Sequence, residues 1–249
     1  MFKNKKELII MDEVCSIVNE ILLYLSEKAK PGISTLYLDK EAYRLCKEKG
    51  AEPAFLGYSN YPASVCISIN DEIVHGIPRE DKILKEGDIV SIDFGVRKNG
   101  FYGDAAITIG VGKISLSSQN LIETTKECLK EAIKFCKAGG KLGQVSYAIQ
   151  SCAEKAGYSV VRDYVGHGIG KSLHEPPQVP NYGNPEEGPL LEEGMVLAIE
   201  PMVLEGDWKV KVDDDGWTVR TYDGKLAAHF ECCVAITKDG PKVLGSNSL

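Results

Sequence analysis

The segments VSIDFG (residues 90–95) and YGDAA (102–106) each carry a carboxylate inside a strand that should otherwise be buried. The residues between them, RKNG at 97–100, are typical of a hairpin turn. A four-residue loop would place Asp93 directly opposite Asp104, and a two-residue Asn-Gly loop would shift the register by two, but both acids share one face in either case. Because two buried like charges are costly unless a cation neutralises them, the hairpin predicts a metal site, an ordinary acidic edge or a calcium-like structural site.

Two further predicted strands also contain an acid at an apolar position. Glu200 lies within VLAIEPM (196–202), and Glu231 lies within AAHFECCV (227–234). A single buried acid is often part of a structural ion pair, but the same pattern in three separate strands favours a shared site. His229 either shares a strand face with Glu231 or is exposed at a sheet edge.

The other three histidines lie in segments rich in glycine or proline. His75 lies in VHGIP (74–78), and His167 and His174 lie in GHGIGKSLH (166–174). Four carboxylates and one imidazole form a hard donor set that suits first-row divalent ions, and their charges balance two such ions. Since two metal ions can hold a bridging hydroxide and polarise a carbonyl, the pattern predicts hydrolysis, with the remaining histidines donating hydrogen bonds to the oxyanion or the leaving amine.

Motifs of several other enzyme classes are not found in the sequence. Lys171 occupies the third glycine position of a Gly-x-Gly-x-x-Gly fingerprint, and no nucleophile elbow, Walker loop or His-Glu-x-x-His motif occurs. Cys66 could pair with a histidine, but its segment, SVCIS at 64–68, is typical of a strand without an activating group.

The hydrophobic pattern predicts an α+β fold with a single domain, residues 1–249. Helices are predicted at 7–30, 34–49, 117–137 and 143–156. Strands are predicted at 64–69, 88–95, 101–111, 158–162, 195–203, 210–212, 217–221 and 230–237.

Composition excludes several classes of function. The chain has 249 residues, 43% of them hydrophobic, and a net charge of −7, so it can form a sizeable core and is too acidic for a broad phosphate-binding face. No apolar run reaches membrane-spanning length and no export signal is recognised, so we expect a cytoplasmic protein without a membrane or specific nucleic-acid partner. The eight cysteines form no Cys-x-x-Cys pair and are expected to be reduced thiols.

The order of these motifs resembles that of the type I methionine aminopeptidases, which have the creatinase-like pita-bread fold. The resemblance extends from about residue 31 onward, and only thirty residues separate Glu200 from Glu231, which leaves no room for the helical insertion of type II enzymes. It implies a curved antiparallel sheet with pseudo-twofold halves and helices on the outer face. The matching motifs are YVGHGIG (164–170), His174, Val179, Asn181, Tyr182, Gly57-Tyr58, Tyr61-Pro62, residues 64–78, the Asp93/Asp104 hairpin, IEPM (199–202), Gly216-Trp217 and Glu231.

The resemblance also implies the ligands of a dinuclear metal site. Two divalent ions, whether cobalt, manganese, iron or zinc, would be bound by Asp93, Asp104, His167, Glu200 and Glu231. Asp104 and Glu231 would bridge the ions, Asp93 would chelate one of them, and His167 and Glu200 would hold the other.

The resemblance further implies catalytic and substrate-binding residues. His75 would contact the scissile amide and help the amine to depart, His174 would stabilise the carbonyl oxygen as it gains charge, and Glu200 would transfer the proton of the attacking water. The walls of the pocket for the methionine side chain match Tyr58, Tyr61, Cys66, Met202 and Trp217. Each of these five could instead simply fill the core.

Three residues depart from the family pattern. Cys232-Cys233 replaces the usual His-Thr after Glu231, and strand alternation places the Cys233 thiol on the same face as Glu231, where it would replace a hydroxyl. Leu173 stands where an aromatic residue is common, so we expect a roomier pocket.

We therefore expect a monomeric aminopeptidase that removes initiator methionine from nascent chains with a small second residue, with the ribosome as a candidate partner. One alternative is a proline-specific peptidase of the prolidase or aminopeptidase P kind, although those usually carry an extra N-terminal domain. The other is a non-catalytic relative that serves as a binding module for nucleic acid or protein. Metal content separates the enzyme from the module.

Overall fold

The computed structural model describes residues 2–245. The helices within this range are α1 (Lys5–Lys28), α2 (Thr35–Glu48), α3 (Leu116–Ile133) and α4 (Leu142–Lys155), with a short 3-10 helix at Tyr58–Asn60. The strands are β1 (Glu52–Pro53), β2 (Cys66–Ile69), β3 (Glu72–Val74), β4 (Ile89–Lys98), β5 (Phe101–Gly110), β6 (Ser159–Val160), β7 (Gly166–Gly168), β8 (Glu175–Val179), β9 (Val196–Ile199), β10 (Met202–Leu204), β11 (Val210–Val212), β12 (Val219–Thr221), β13 (Ala227–His229), β14 (Cys232–Thr237) and β15 (Gly240–Val243).

Strands β4 and β5 form the hairpin that the sequence predicted. Asn99 and Gly100 make its two-residue turn, and both have positive φ angles, as a type I′ turn requires. Asp93 therefore pairs with Ala106, and Asp104 pairs with Gly95. The register with a four-residue loop is wrong, but the two acids still lie on one face of the hairpin.

Every strand pairing in the described range is antiparallel. The strands form four hydrogen-bonded sheets, with β5 pairing β4 at the side of the first: β1-β4-β2, β13-β10-β6, β11-β12-β3 and β15-β14-β9-β7-β8. A bridge between Ala106 and Glu231 joins the β4–β5 hairpin to β14, since each residue donates its backbone N–H to the carbonyl of the other. The curved sheet that the resemblance implies is therefore divided into four hydrogen-bonded sheets, and this bridge joins two of them.

Two helix pairs cover the sheets from outside. Helices α1 and α2 share one buried cluster with alternate residues of β4, which include Ile92 and Phe94. Helices α3 and α4 share another with alternate residues of β9 and β14, which include Leu197 and Val234. Because successive strand residues point to opposite faces, the residues between these apolar ones point away from the helices.

The remaining differences from the predicted elements have local causes. The predicted strand at 195–203 is divided into β9 and β10, because Pro201 lacks an N–H and the two strands join different sheets. The strand predicted at 158–162 is reduced to Ser159–Val160. Across residues 2–245, none of the helices is both long enough and apolar enough to span a membrane.

Candidate metal centre and substrate cavity

The β4–β5 hairpin turns two carboxylates away from the helices. Ile92 and Phe94 pack against α1 and α2, so Asp93 between them faces the opposite side. Asp104 precedes Ala105, which also packs on the helix side, and therefore shares the face of Asp93. Both acids are buried, with 9% and 4% of their surfaces exposed.

The strands β9 and β14 supply two more carboxylates by the same alternation. Leu197 and Ile199 of β9 pack against α3 and α4, so Glu200 after them lies on the other face. Cys232 of β14 likewise packs against those helices, which turns Glu231 to the face of Glu200. The bridge from Glu231 to Ala106 then brings this acid next to the hairpin acids.

His167, in the middle of β7, lies between acids from both sheets. Its Nδ1 lies 2.9 Å from the carbonyl of Gly168, which fixes the ring when Nδ1 carries the proton. Its Nε2 then has a free lone pair and lies 3.7 Å from Glu200 Oε1 and 4.0 Å from Asp104 Oδ2. Burial lowers the pKa of His167 to about 4, so the neutral imidazole, which is the metal-binding form, prevails.

These side chains fit a divalent metal ion. One ligand atom each of Asp104, His167 and Glu231 lie within 4.8 Å of one another. Oδ1 of Asp93, Oδ1 of Asp104 and Oε1 of Glu231 are buried without any hydrogen-bond partner among the described residues. Buried carboxylate oxygens without partners and an imidazole nitrogen are the donors that first-row divalent ions prefer.

The pKa values of the four acids point to the same need for positive charge. Burial, with repulsion from Asp104, raises the pKa of Asp93, and burial with the neighbouring acids raises those of Glu200 and Glu231. Burial raises the pKa of Asp104 to about 7. These shifts describe carboxylates whose charges are not compensated by the chain itself.

His75 and His174 lie beside this cluster. His75 follows β3 with a φ of 60°, in the left-handed region that a histidine seldom adopts, and its ring makes edge contacts with Tyr164 and Trp217. The ring of His174 lies 4.3 Å from that of His167, centroid to centroid. Burial lowers the pKa of both histidines, to about 4 for His75.

A cavity of about 290 Å³ opens onto the cluster. Its walls include four of the five residues matched to the methionine pocket: Tyr58, Tyr61, Cys66 and Trp217. Met202 is the exception, because it is fully buried in a core cluster with Ile73 and Val161 and is not among the cavity-lining residues. Its side chain therefore fills the core, the alternative that the sequence left open.

Sequence reasoning missed other residues of the cavity. Phe55 and Tyr164 line its wall, and Leu173 lies there as expected. Tyr164 lies two residues before the glycine-rich segment 166–174, within the matching motif YVGHGIG, and this position is the sequence signal that could have identified it. His229 is fully buried, with neither ring nitrogen hydrogen-bonded in the described chain, so the edge-exposed alternative is wrong; its Nε2 lies 4.0 Å from Glu200 Oε2.

The Cys233 thiol lies where strand alternation placed it. Its Sγ donates to the backbone carbonyl of Asp104 at 3.3 Å, on the face of Glu231. No cysteine of the described range is in a disulfide.

The fold and site define a class of metallopeptidases. A model of metallopeptidase family M24 matches residues 10–238, and the chain belongs to this family. It is 49% identical to a methionine aminopeptidase of Clostridium acetobutylicum over 98% of both chains. It is also 50% identical to methionine aminopeptidase 1 of Bacillus subtilis over 97% of both. The resemblance to the type I methionine aminopeptidases is confirmed.

Solved structures agree with the sequence comparisons. The methionine aminopeptidase of Thermotoga maritima superposes with a TM-score of 0.97 at 44% identity, over 99% of each chain. A prolidase from Pyrococcus furiosus has a TM-score of 0.81 at 25% identity, and the match spans 66% of that longer chain. The pita-bread fold and the metal-dependent aminopeptidase class are therefore confirmed.

Proposed function

We propose that this protein removes the initiator methionine from nascent chains with a small second residue, as a cytoplasmic monomer that meets some of its substrates at the ribosome. The observation that carries the proposal is the convergence of Asp104, His167 and Glu231 within 4.8 Å at a cavity with apolar walls. The high identity to proteins named methionine aminopeptidase supports the choice of substrate.

The metal site in this proposal uses all five candidate ligands. Asp104 and Glu231 would be shared by two divalent ions, Asp93 would bind one of them, and His167 and Glu200 would bind the other. The ions are iron, manganese, cobalt or zinc, since all four accept oxygen and imidazole donors. When bound, they lower the pKa of water and polarise the substrate carbonyl.

The chain's own groups move the protons and stabilise charge. Glu200 accepts a proton from the attacking water and returns it to the leaving amine. His174 donates a hydrogen bond to the carbonyl oxygen as it becomes negative. His75, held at a left-handed backbone position beside the cavity, contacts the scissile amide.

The cavity walls suit an unbranched thioether side chain. Tyr61 and Trp217 meet edge to face, with ring centroids 5.0 Å apart, and Cys66 and Phe55 pack against them. A methionine side chain fits such an apolar space and makes favourable contacts between its sulfur and aromatic rings. Leu173, smaller than an aromatic residue, leaves additional room in the same cavity.

The test is release of methionine from a Met-Ala-Ser peptide by the metal-loaded protein. Glu200→Gln and His167→Ala should each reduce kcat by at least about 10³-fold, because one removes the proton carrier and the other a ligand. Glu52→Gln, at an exposed position paired with Arg97, should leave turnover unchanged.

Folded variants of Glu200 and His167 that retain wild-type turnover would contradict the proposal. Rapid cleavage of Xaa-Pro dipeptides with no release of methionine would instead support the prolidase alternative.

A further inference from the structure

We infer that Tyr58 is a positioning residue: its hydroxyl holds His174 in the tautomer that carries the proton on Nε2. This inference rests on the proposed function, because it explains how His174 becomes a donor to the substrate carbonyl. The sequence assigned Tyr58 only to the wall of the methionine pocket. Its contact with His174 gives it a different task.

The contact is a short, direct hydrogen bond. Tyr58 Oη lies 2.6 Å from His174 Nδ1, and the two rings meet at 57° with their centroids 5.1 Å apart. A neutral imidazole has one N–H and one lone pair, so only one of its nitrogens can donate. When the tyrosine O–H donates to Nδ1, the histidine proton must lie on Nε2.

The other ring nitrogen is left for the substrate. His174 lines the cavity, and its Nε2 has no hydrogen-bond partner within residues 2–245. A carbonyl oxygen that gains negative charge needs a donor, and an Nε2 lone pair would repel it. The proposed reaction therefore requires the tautomer in which Tyr58 donates to Nδ1 and the proton lies on Nε2.

The backbone around Tyr58 is held in an unusual conformation. Gly57, Ser59 and Asn60 all have positive φ angles, which are uncommon for a residue such as Ser59. Hydrogen bonds from Tyr58 N to Phe55 O and from Gly57 N to Tyr61 O close the turn. The loop thus presents the Tyr58 ring in one direction.

The backbone of His174 is fixed from the other side. Glu175 Oε1 accepts hydrogen bonds from the N–H groups of Lys171 and Ser172, and its Oε2 accepts one from Lys3 at 2.9 Å. These bonds order the loop but do not touch the imidazole. Among the described residues, only Tyr58 contributes a hydrogen bond to the ring.

The direct test is the tautomer of His174, read from the ¹⁵N shifts and couplings of the Zn²⁺-loaded protein at pH 8. The His174→Gln variant identifies the signal by its loss. We expect the proton on Nε2 in the wild type and a mixture of tautomers in Tyr58→Phe. A wild-type proton on Nδ1 would overturn the inference, even in a protein that releases no methionine.

The second measurement is the steady-state kinetics of Tyr58→Phe, which keeps the ring and loses only the hydroxyl. We expect kcat to fall about tenfold with KM changed less than about twofold, because the donor acts chiefly in the transition state. Tyr37→Phe removes a hydroxyl from a half-exposed tyrosine of α2 and should change neither constant.

If Tyr58→Phe leaves kcat unchanged, or raises KM alone, then Tyr58 only forms part of the pocket wall and the inference is overturned. Failure of the wild-type enzyme to cleave the peptide would count against the proposed function instead, since the tautomer is read without substrate.

Discussion

His167 can approach Asp104 and Glu200 only because glycine stands on either side of it. A Cβ at Gly166 would lie 2.4 Å from the Ala198 carbonyl, and one at Gly168 would lie 2.3 Å from the Pro176 carbonyl. Any larger residue would push β7 away from β9 or β8. Gly166 and Gly168 are therefore needed for β7 to pack between β8 and β9 with His167 in place. They are also part of the sequence motif.

The Cys233 thiol gives a prediction at a single residue. Cys233→Ala removes the donor to the Asp104 carbonyl, so the Asp104 side chain should be held less firmly. We expect the metal dissociation constant to rise about tenfold, the lower end of the effect of such supporting contacts. Competition with a chromophoric chelator measures it, and Cys233→Ser should restore most of the affinity.

The control for this prediction is the neighbouring cysteine. Cys232 points to the opposite face of β14, into the core under α3 and α4. Cys232→Ala removes a sulfur of equal size without touching Asp104. Equal losses of metal affinity in the two alanine variants would mean that Cys233 acts only through packing.

The sheet of β11, β12 and β3 is stabilised by ion pairs as well as by the backbone hydrogen bonds between its strands. Arg220 of β12 pairs with Glu72 of β3 at 2.7 Å and with Asp71 at 2.9 Å, and Lys82 also pairs with Glu72. His75 directly follows β3, and Trp217 lies two residues before β12. The ion network therefore supports one wall of the cavity.

Removing the Arg220 guanidinium from this network should destabilise the protein. Arg220→Met leaves the buried Glu72 with Lys82 and the backbone N–H of Ile69, and we expect a loss of about 2 kcal/mol in the free energy of unfolding. Arg97→Met breaks an exposed pair with Glu52 and should cost less than about 0.5 kcal/mol. Urea denaturation measures both variants. Equal losses in the free energy of unfolding would show that burial does not strengthen the ion pairs of Arg220.

The long elements could be predicted from the sequence because their patterns are local. All four helices and the β4–β5 hairpin appear within a few residues of the expected positions. The short strands β7 and β8 could not be predicted, since all their residues except Val179 are glycine, proline or polar. They become strands only by pairing with β9 and with each other.

The whole molecule brings its candidate ligands from both halves of the sheet. Asp93 and Asp104 come from strands packed under α1 and α2, while Glu200 and Glu231 come from strands packed under α3 and α4. The acids could be recognised in the sequence because each interrupts a buried strand. The hydrogen bond from Tyr58 to His174 could not, because it joins loops 116 residues apart with no shared pattern.

Binding of two divalent ions by these acids and His167 is the property on which the proposed function depends. It is tested most directly by dialysing the metal-free protein against excess Mn²⁺ and counting the bound metal by elemental analysis. We expect about two ions per wild-type chain and at most about one after Glu231→Gln, which removes one of the four carboxylate charges. A folded wild-type chain that retains no manganese, or a Glu231→Gln variant that retains as much as the wild type, would contradict it.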